Sequence, residues 1–225
     1  MSITIFTRSQ NDFLYDRASE FWPDEIDRHK CTDFNYPFGA VDFLHHVIQY
    51  CPDIAVVCDE DCYIYNWPLL ESLIEGMDKP VLAVPDGGII PHRGTYDWFQ
   101  LNPFFMVIDC GRIRASIQVQ NLTSRFRYPD SVNKWGYTSI IEKYRPDWIS
   151  AAFGWYGMDS TEPFYGLSCW LVSQGLVKFL KPANHPDGIS TDIGFALHSW
   201  YARDYDNQAE RIDSIYYEAK GLARG

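Results

Sequence analysis

The chain has 225 residues, 46% of them hydrophobic and 22% charged, with a formal net charge of -11. That length suits one domain whose core needs no disulfide or metal staple, and the composition is that of a globular protein rather than a disordered one. Nucleic-acid binding needs clustered Lys and Arg, so the acidity argues against a nucleic-acid partner. No apolar run approaches the ~20 residues that a membrane span requires, so no integral membrane segment is expected. The six cysteines (Cys31, Cys51, Cys58, Cys62, Cys110 and Cys169) form no CxxC pair, and several lie in apolar runs. They read as buried thiols in a reducing compartment, which makes the cytoplasm the expected location. Cys58 and Cys62 lack the nearby Cys/His pair of a zinc cage. The sequon Asn121-Leu122-Thr123 carries little weight without a secretion signal.

In chain order, Ile3 to Phe6 predicts a strand that ends at Thr7-Arg8-Ser9-Gln10. The short N-terminus lacks a basic flank, so it reads as a strand and not as a signal peptide. Val41, Leu44, Val47 and Ile48 follow helical spacing within Phe38 to Tyr50. Cys51-Pro52-Asp53 then leads into the apolar run Ile54-Ala55-Val56-Val57-Cys58. Asn66-Trp67-Pro68 marks a helix start, and Leu69, Leu70, Leu73, Ile74 and Met77 supply its buried stripe. Val81 to Val84 predicts a strand that Pro85-Asp86-Gly87-Gly88 breaks, and Phe104 to Ile108 predicts another. Residues from about 111 to 157 are rich in Arg, Tyr and Trp and give no regular pattern. Pro163 to Leu180 predicts mainly helix, with Leu167, Trp170, Leu171 and Leu176 inward. Asn184 to Gly188 is a loop, and Ile212, Ile215, Tyr216, Ala219 and Leu222 mark an amphipathic last helix.

Short apolar strands alternating with amphipathic helices indicate α/β with a largely parallel sheet. Asp59 and Asp61 follow the apolar run at once. A strand's carboxyl end is where open α/β sheets place ligands, and paired carboxylates there suit a hard divalent cation that also holds phosphate oxygens. The block therefore points to a metal–diphosphate site. A solvated acidic turn is the bland alternative for these two aspartates.

Several segments in this order resemble the GT-A-fold glycosyltransferases, which use nucleotide-diphosphate sugars. They are Ser2–Thr7, Pro37-Phe38-Gly39-Ala40-Val41-Asp42, Asp53 through Asp59-Glu60-Asp61, Pro68–Met77, Leu101-Asn102-Pro103-Phe104-Phe105-Met106-Val107-Ile108 and Asp192-Ile193-Gly194-Phe195-Ala196-Leu197-His198. The resemblance spans most of residues 1–205, and its specific part is the DxD block with its flanks. It implies a single-domain GT-A (Rossmann-like) fold over residues 1–225, with a mixed, mostly parallel central sheet flanked by helices. The nucleotide-binding half would cover about 1–110 and the acceptor-side half about 111–225.

The resemblance also implies roles. Mn²⁺ or Mg²⁺ would bridge the phosphates of a UDP- or GDP-type sugar donor, with Asp61 as the direct ligand and His198 completing the coordination. Asp59 would reach the metal through water or hydrogen-bond the ribose, and Glu60 would point the other way. Thr7 and Arg8 would line the base and ribose pocket, Asp42 would face the nucleotide, and Asn102 would bind donor-sugar hydroxyls. Asp192 is the candidate general base toward a saccharide acceptor, with Asp159 and Glu162 as rivals. His92 and Arg93 fall in a glycine-containing loop that lacks P-loop spacing. Trp155, Tyr156, Trp200 and Tyr201 are candidate stacking rings for an acceptor sugar.

Three other readings compete. A haloacid-dehalogenase-type phosphatase also carries Asp-x-Asp after a strand, but it wants a small hydroxyl or β-branched residue where Cys62-Tyr63 stands. A nucleotidyltransferase needs a glycine-rich basic loop where this chain has Thr7-Arg8-Ser9-Gln10-Asn11-Asp12. A catalytically silent nucleotide- or carbohydrate-binding module would keep the sheet without the chemistry.

Overall fold

The structure, a computed structural model, describes residues 2–34, 39–86, 98–116, 140–149 and 165–224. Its centre is a six-stranded sheet in the order β2-β1-β3-β6-β5-β7. The strands are β1 (Ile3–Arg8), β2 (Asp27–Cys31), β3 (Ile54–Asp59), β5 (Val81–Pro85), β6 (Leu101–Asp109) and β7 (Val177–Phe179). β1 pairs in parallel with β2 and β3, and β5 pairs in parallel with β7. β6 runs antiparallel between β3 and β5. All strands of this sheet except β6 therefore run the same way, as the alternating pattern predicted.

Alternate residues of β3 enter two separate cores. Ala55 and Val57 pack on one side of the sheet, and Ile54, Val56 and Cys58 pack on the other. A strand covered on both faces has no solvent face for polar residues, which is why its sequence is one apolar run. Helix α2 (Gly39–Tyr50), helix α4 (Cys110–Ser116) and helix α5 (Tyr165–Ser173) cover the first side. Helix α1 (Asp12–Ser19), helix α3 (Trp67–Glu75) and the last helix α6 (Tyr205–Leu222) cover the second. Asn66 caps α3 by accepting from the Leu69 amide at 3.2 Å, and Pro68 occupies its first turn.

The helix expected from Pro163 to Leu180 is corrected in its second half. α5 ends at Ser173, where the Gly175 amide donates to Val172 O and the Leu176 amide to Leu171 O. This is the Schellman closure, and Gly175 supplies its left-handed residue at φ 66°. The chain then leaves as β7, the edge strand beside β5. The first strand also runs two residues further than its apolar run, to Arg8.

A second, four-stranded sheet has the order β4-β10-β9-β8. It consists of β4 (Cys62–Tyr63), β8 (Ala183–Asn184), β9 (Thr191–Asp192) and β10 (Leu197–His198). β10 lies antiparallel between β4 and β9 and so brings the late chain against the segment that follows β3. No helix among the described residues is long and apolar enough to cross a membrane. His92, Arg93, Trp155, Tyr156, Asp159 and Glu162 lie outside the described residues.

Candidate functional site

β3 ends at Asp59, and Glu60 and Asp61 turn the chain into β4. The turn stands at the carboxyl ends of the parallel strands, with Arg8 of β1 in register beside Asp59. Glu60 points away from its two neighbours. Its Oε2 accepts from the Ser9 hydroxyl at 2.6 Å and from the Gln10 and Asn11 amides at 2.8 Å each. Burial pushes the Glu60 carboxyl up, while these three bonds pull it back. One oxygen thus fixes the loop between β1 and α1 against the acidic turn.

Asp61 is 2% exposed and is held from the late chain. His198 Nε2 lies 3.1 Å from Asp61 Oδ1, and the Ser199 hydroxyl donates to Asp61 Oδ2 at 3.0 Å. The Ser199 amide also donates to the Asp61 carbonyl at 3.1 Å. Burial alone would raise the Asp61 carboxyl, but the pull of His198 and these side-chain bonds outweigh it and hold it below its ordinary value. Asp59 keeps 30% side-chain exposure and stands 3.9 Å from His198 Nε2. Burial pushes its carboxyl up, Arg8, His198 and Arg203 pull it down, and Asp61 adds to the rise. The two aspartates therefore ionise differently although one residue separates them.

His198 is 2% exposed, and ring packing sets its direction. Phe104 stacks on it at 4.3 Å with planes 4° apart, and Trp200 packs against both rings, 4.4 Å from His198 and 5.5 Å from Phe104. Its Nδ1 is buried and has no hydrogen-bond partner among the described residues. Trp200 and Tyr201 both adopt left-handed backbone, at φ 61° and 64°. Such residues cost about 1–3 kcal/mol each and persist where neighbours over-determine them. Here Arg211 does so by donating to the Ser199 and Trp200 carbonyls.

One ligand atom from each of Asp59, Asp61 and His198 lies within 4.8 Å of the others, so this group could hold a metal ion. Two carboxylates and an imidazole make a mixed O/N donor set of the kind that divalent metal ions use. Crowded carboxylates with little water around them give a cation a charge to neutralise.

The other sequence candidates are placed as follows. Arg8 stands beside Asp59. Thr7 is fully buried with its hydroxyl 3.5 Å from Cys58 Sγ, so it braces β1 on β3 one residue before the Arg8–Asp59 pair. Asp42 is half-buried in the first turn of α2. Asn102 is buried, donates to Asp86 at 2.6 Å and accepts from the Phe104 amide at 3.0 Å.

Asp192, the candidate general base, and His198 lie on different faces of the small sheet. Residues directly opposite in an antiparallel pair point to the same face. His198 is opposite Thr191 and Cys62, whereas Asp192 is opposite Leu197 on the other face. Its carboxylate accepts from Tyr65 at 3.1 Å and from the Gly194 amide at 2.7 Å. It thereby braces the β9–β10 hairpin.

Ser199, Phe104, Glu60 and Arg203 also shape the site without having been marked as site residues. The apolar spacing around Phe104 signals only a strand. Ser199 and Arg203 stand near His198 in sequence, which is the one signal that could have drawn attention to them.

No family model matches the chain, and no curated protein matches it. A search of solved structures finds similarity to a glycosyltransferase involved in the glycosylation of the major capsid of PBCV-1. The identity is 10% and the TM-score 0.38, over 67% of this chain and 79% of that one. A likeness this distant decides nothing about function, which has to be read from the site.

Proposed function

We propose that the chain is a metal-dependent glycosyltransferase that moves a sugar from a nucleotide-diphosphate donor to a saccharide acceptor. The observation that carries this reading is the convergence of Asp59, Asp61 and His198 at the carboxyl end of β3, with donor atoms within 4.8 Å. Parallel strand ends bind ligands in open α/β sheets, and a carboxylate–imidazole set there suits a cation shared with phosphate oxygens.

In this reading Asp61 and His198 hold the cation and Asp59 completes the donor set. A bound divalent ion supplies charge neutralisation for the departing nucleoside diphosphate. Arg8, beside Asp59, adds a fixed positive charge for phosphate oxygens on a protein that is otherwise acidic. Phe104 and Trp200 keep the His198 ring in one orientation and exclude water from it. Glu60 keeps the β1–α1 loop against the acidic turn. Asp192 acts by bracing the hairpin that carries His198, and no general base is assigned.

A thermal-shift screen of UDP, GDP, CDP and dTDP, each with and without Mn²⁺, tests the proposal. One nucleotide should stabilise the protein only with metal, because a ligand that binds the folded state alone raises its midpoint. Asp61→Ala should lose that metal-dependent shift. If no nucleotide shifts the wild type, or if the variant shifts as the wild type does, the reading fails.

A further inference from the structure

Ser199, the residue after β10, is fully buried and holds Asp61 at two points. Its amide donates to the Asp61 carbonyl at 3.1 Å, and its hydroxyl donates to Asp61 Oδ2 at 3.0 Å. The other carboxylate oxygen, Oδ1, lies 3.1 Å from His198 Nε2. The two oxygens of one carboxylate therefore face different partners. Oδ1 is on the side of the candidate imidazole ligand, and Oδ2 is turned to the hydroxyl whose proton it accepts.

The backbone around Ser199 is fixed. Its carbonyl accepts from the Arg211 guanidinium and, at 3.4 Å, from the Ser190 hydroxyl. The next residue, Trp200, adopts φ 61° and also gives its carbonyl to Arg211, at 2.9 Å. Arg211 in turn stands 3.7 Å from Asp187. With amide and carbonyl both bonded, Ser199 keeps its hydroxyl against Oδ2. Asp59 is placed differently, with its side chain 30% exposed and its Oδ2 3.9 Å from His198 Nε2.

We propose that Ser199 is a positioning residue that limits Asp61 to one oxygen toward a cation, and that the cluster thereby discriminates against Ca²⁺ in favour of a transition-metal ion such as Mn²⁺. The proposal rests on the reading of Asp59, Asp61 and His198 as a cation site and adds what sets its selectivity. Ca²⁺ takes roughly six to eight oxygens and draws on carboxylates that give both of theirs. For Asp61 to do so, Oδ2 has to leave Ser199, which breaks a hydrogen bond to a charged acceptor in a buried place. An ion that accepts an imidazole nitrogen and one oxygen from Asp61 leaves that bond intact. A side chain of this kind touches the ligand and not the ion, and losing one changes metal affinity by about 10–100-fold.

The test titrates Mn²⁺ into the intact protein, reads the free ion by electron paramagnetic resonance, and then displaces it with Ca²⁺. The wild type should bind Mn²⁺ and release it only at a large excess of Ca²⁺. Ser199→Ala should lower the ratio of the Ca²⁺ to the Mn²⁺ dissociation constant by about tenfold. Ser199→Cys keeps the volume and donates only weakly, so its ratio should fall between the two, and it decides the matter if Ser199→Ala does not fold. The role of Ser199 is overturned if the wild type binds Ca²⁺ as tightly as Mn²⁺. It is also overturned if the variants keep the wild-type ratio or weaken both ions alike, since a purely structural loss would do the latter. In these cases a nucleotide shift that needs Mn²⁺ would leave the transferase reading standing. A ratio that falls as expected, in a protein that no nucleoside diphosphate stabilises, would keep Ser199 in its role and sink the transferase reading. A wild type that binds neither ion overturns both.

Discussion

Glu60 and Asp187 are carboxylates with structural tasks, and each makes a measurable prediction. Glu60 gathers three hydrogen bonds on one oxygen from the loop that opens α1. Removing it leaves buried donors without an acceptor, at a cost of about 1–3 kcal/mol. Glu60→Ala should therefore lower stability in urea denaturation by that order while keeping all three candidate metal ligands. Asp187 accepts from the Ser190 hydroxyl and from the Ile189 and Ser190 amides. Burial alone would raise its carboxyl, but these bonds win and hold it at about 2. A carboxyl depressed in the folded state stabilises above its unfolded value of about 3.9, and that stability is lost as pH falls toward the folded value. The side chain is 19% exposed, so screening is modest. The contribution should be roughly 2 kcal/mol, fading between about pH 5 and pH 2. Asp187→Asn should flatten that part of the stability–pH curve.

At the scale of elements, the helix start at Gly39 makes a sharper claim. A Cβ there would lie 2.4 Å from the carbonyl carbon of Phe34, a backbone atom that cannot swing aside. Gly39→Ala should thus destabilise by about 1–3 kcal/mol despite Ala's better helix propensity, which a thermal melt would detect. Elements were legible in the sequence where burial imposed a pattern. β3 announced itself because both of its faces are covered, and α3 because Asn66 and Pro68 mark its start. β7 was misread because Val177 to Phe179 continues the apolar spacing of α5, and only the left-handed Gly175 separates them. The small sheet was invisible because its strands are two residues long, too short for any alternation to register. Without it, Asp192 is only a carboxylate that stands six residues before His198. The pairing of β9 with β10 turns them to opposite faces. The metal candidates were legible because Asp59 and Asp61 follow a strand, whereas the Ser199 hold on Asp61 depends on a contact that no spacing encodes.

For the whole molecule, the two cores share every central strand, so neither half of the sheet has a core of its own. β3 contributes Val57 to one side and Val56 to the other, and β5 contributes Ala83 and Leu82 in the same way. Calorimetry should accordingly show one cooperative transition rather than two, with calorimetric and van't Hoff enthalpies in agreement. The candidate site crosses the same span. His198 meets Asp61 from 137 residues further along the chain, and the edge strand β7 also comes from the late sequence. Such distant closure is slow compared with local contacts. During synthesis on the ribosome, β1, β3, β5 and β6 emerge long before β10. A nascent chain can therefore fold much of its sheet while presenting only the two carboxylates of the group. The imidazole of His198 joins them only when the segment around Leu197–His198 has been made, so the group that could hold a cation is assembled after the sheet that carries its acidic half.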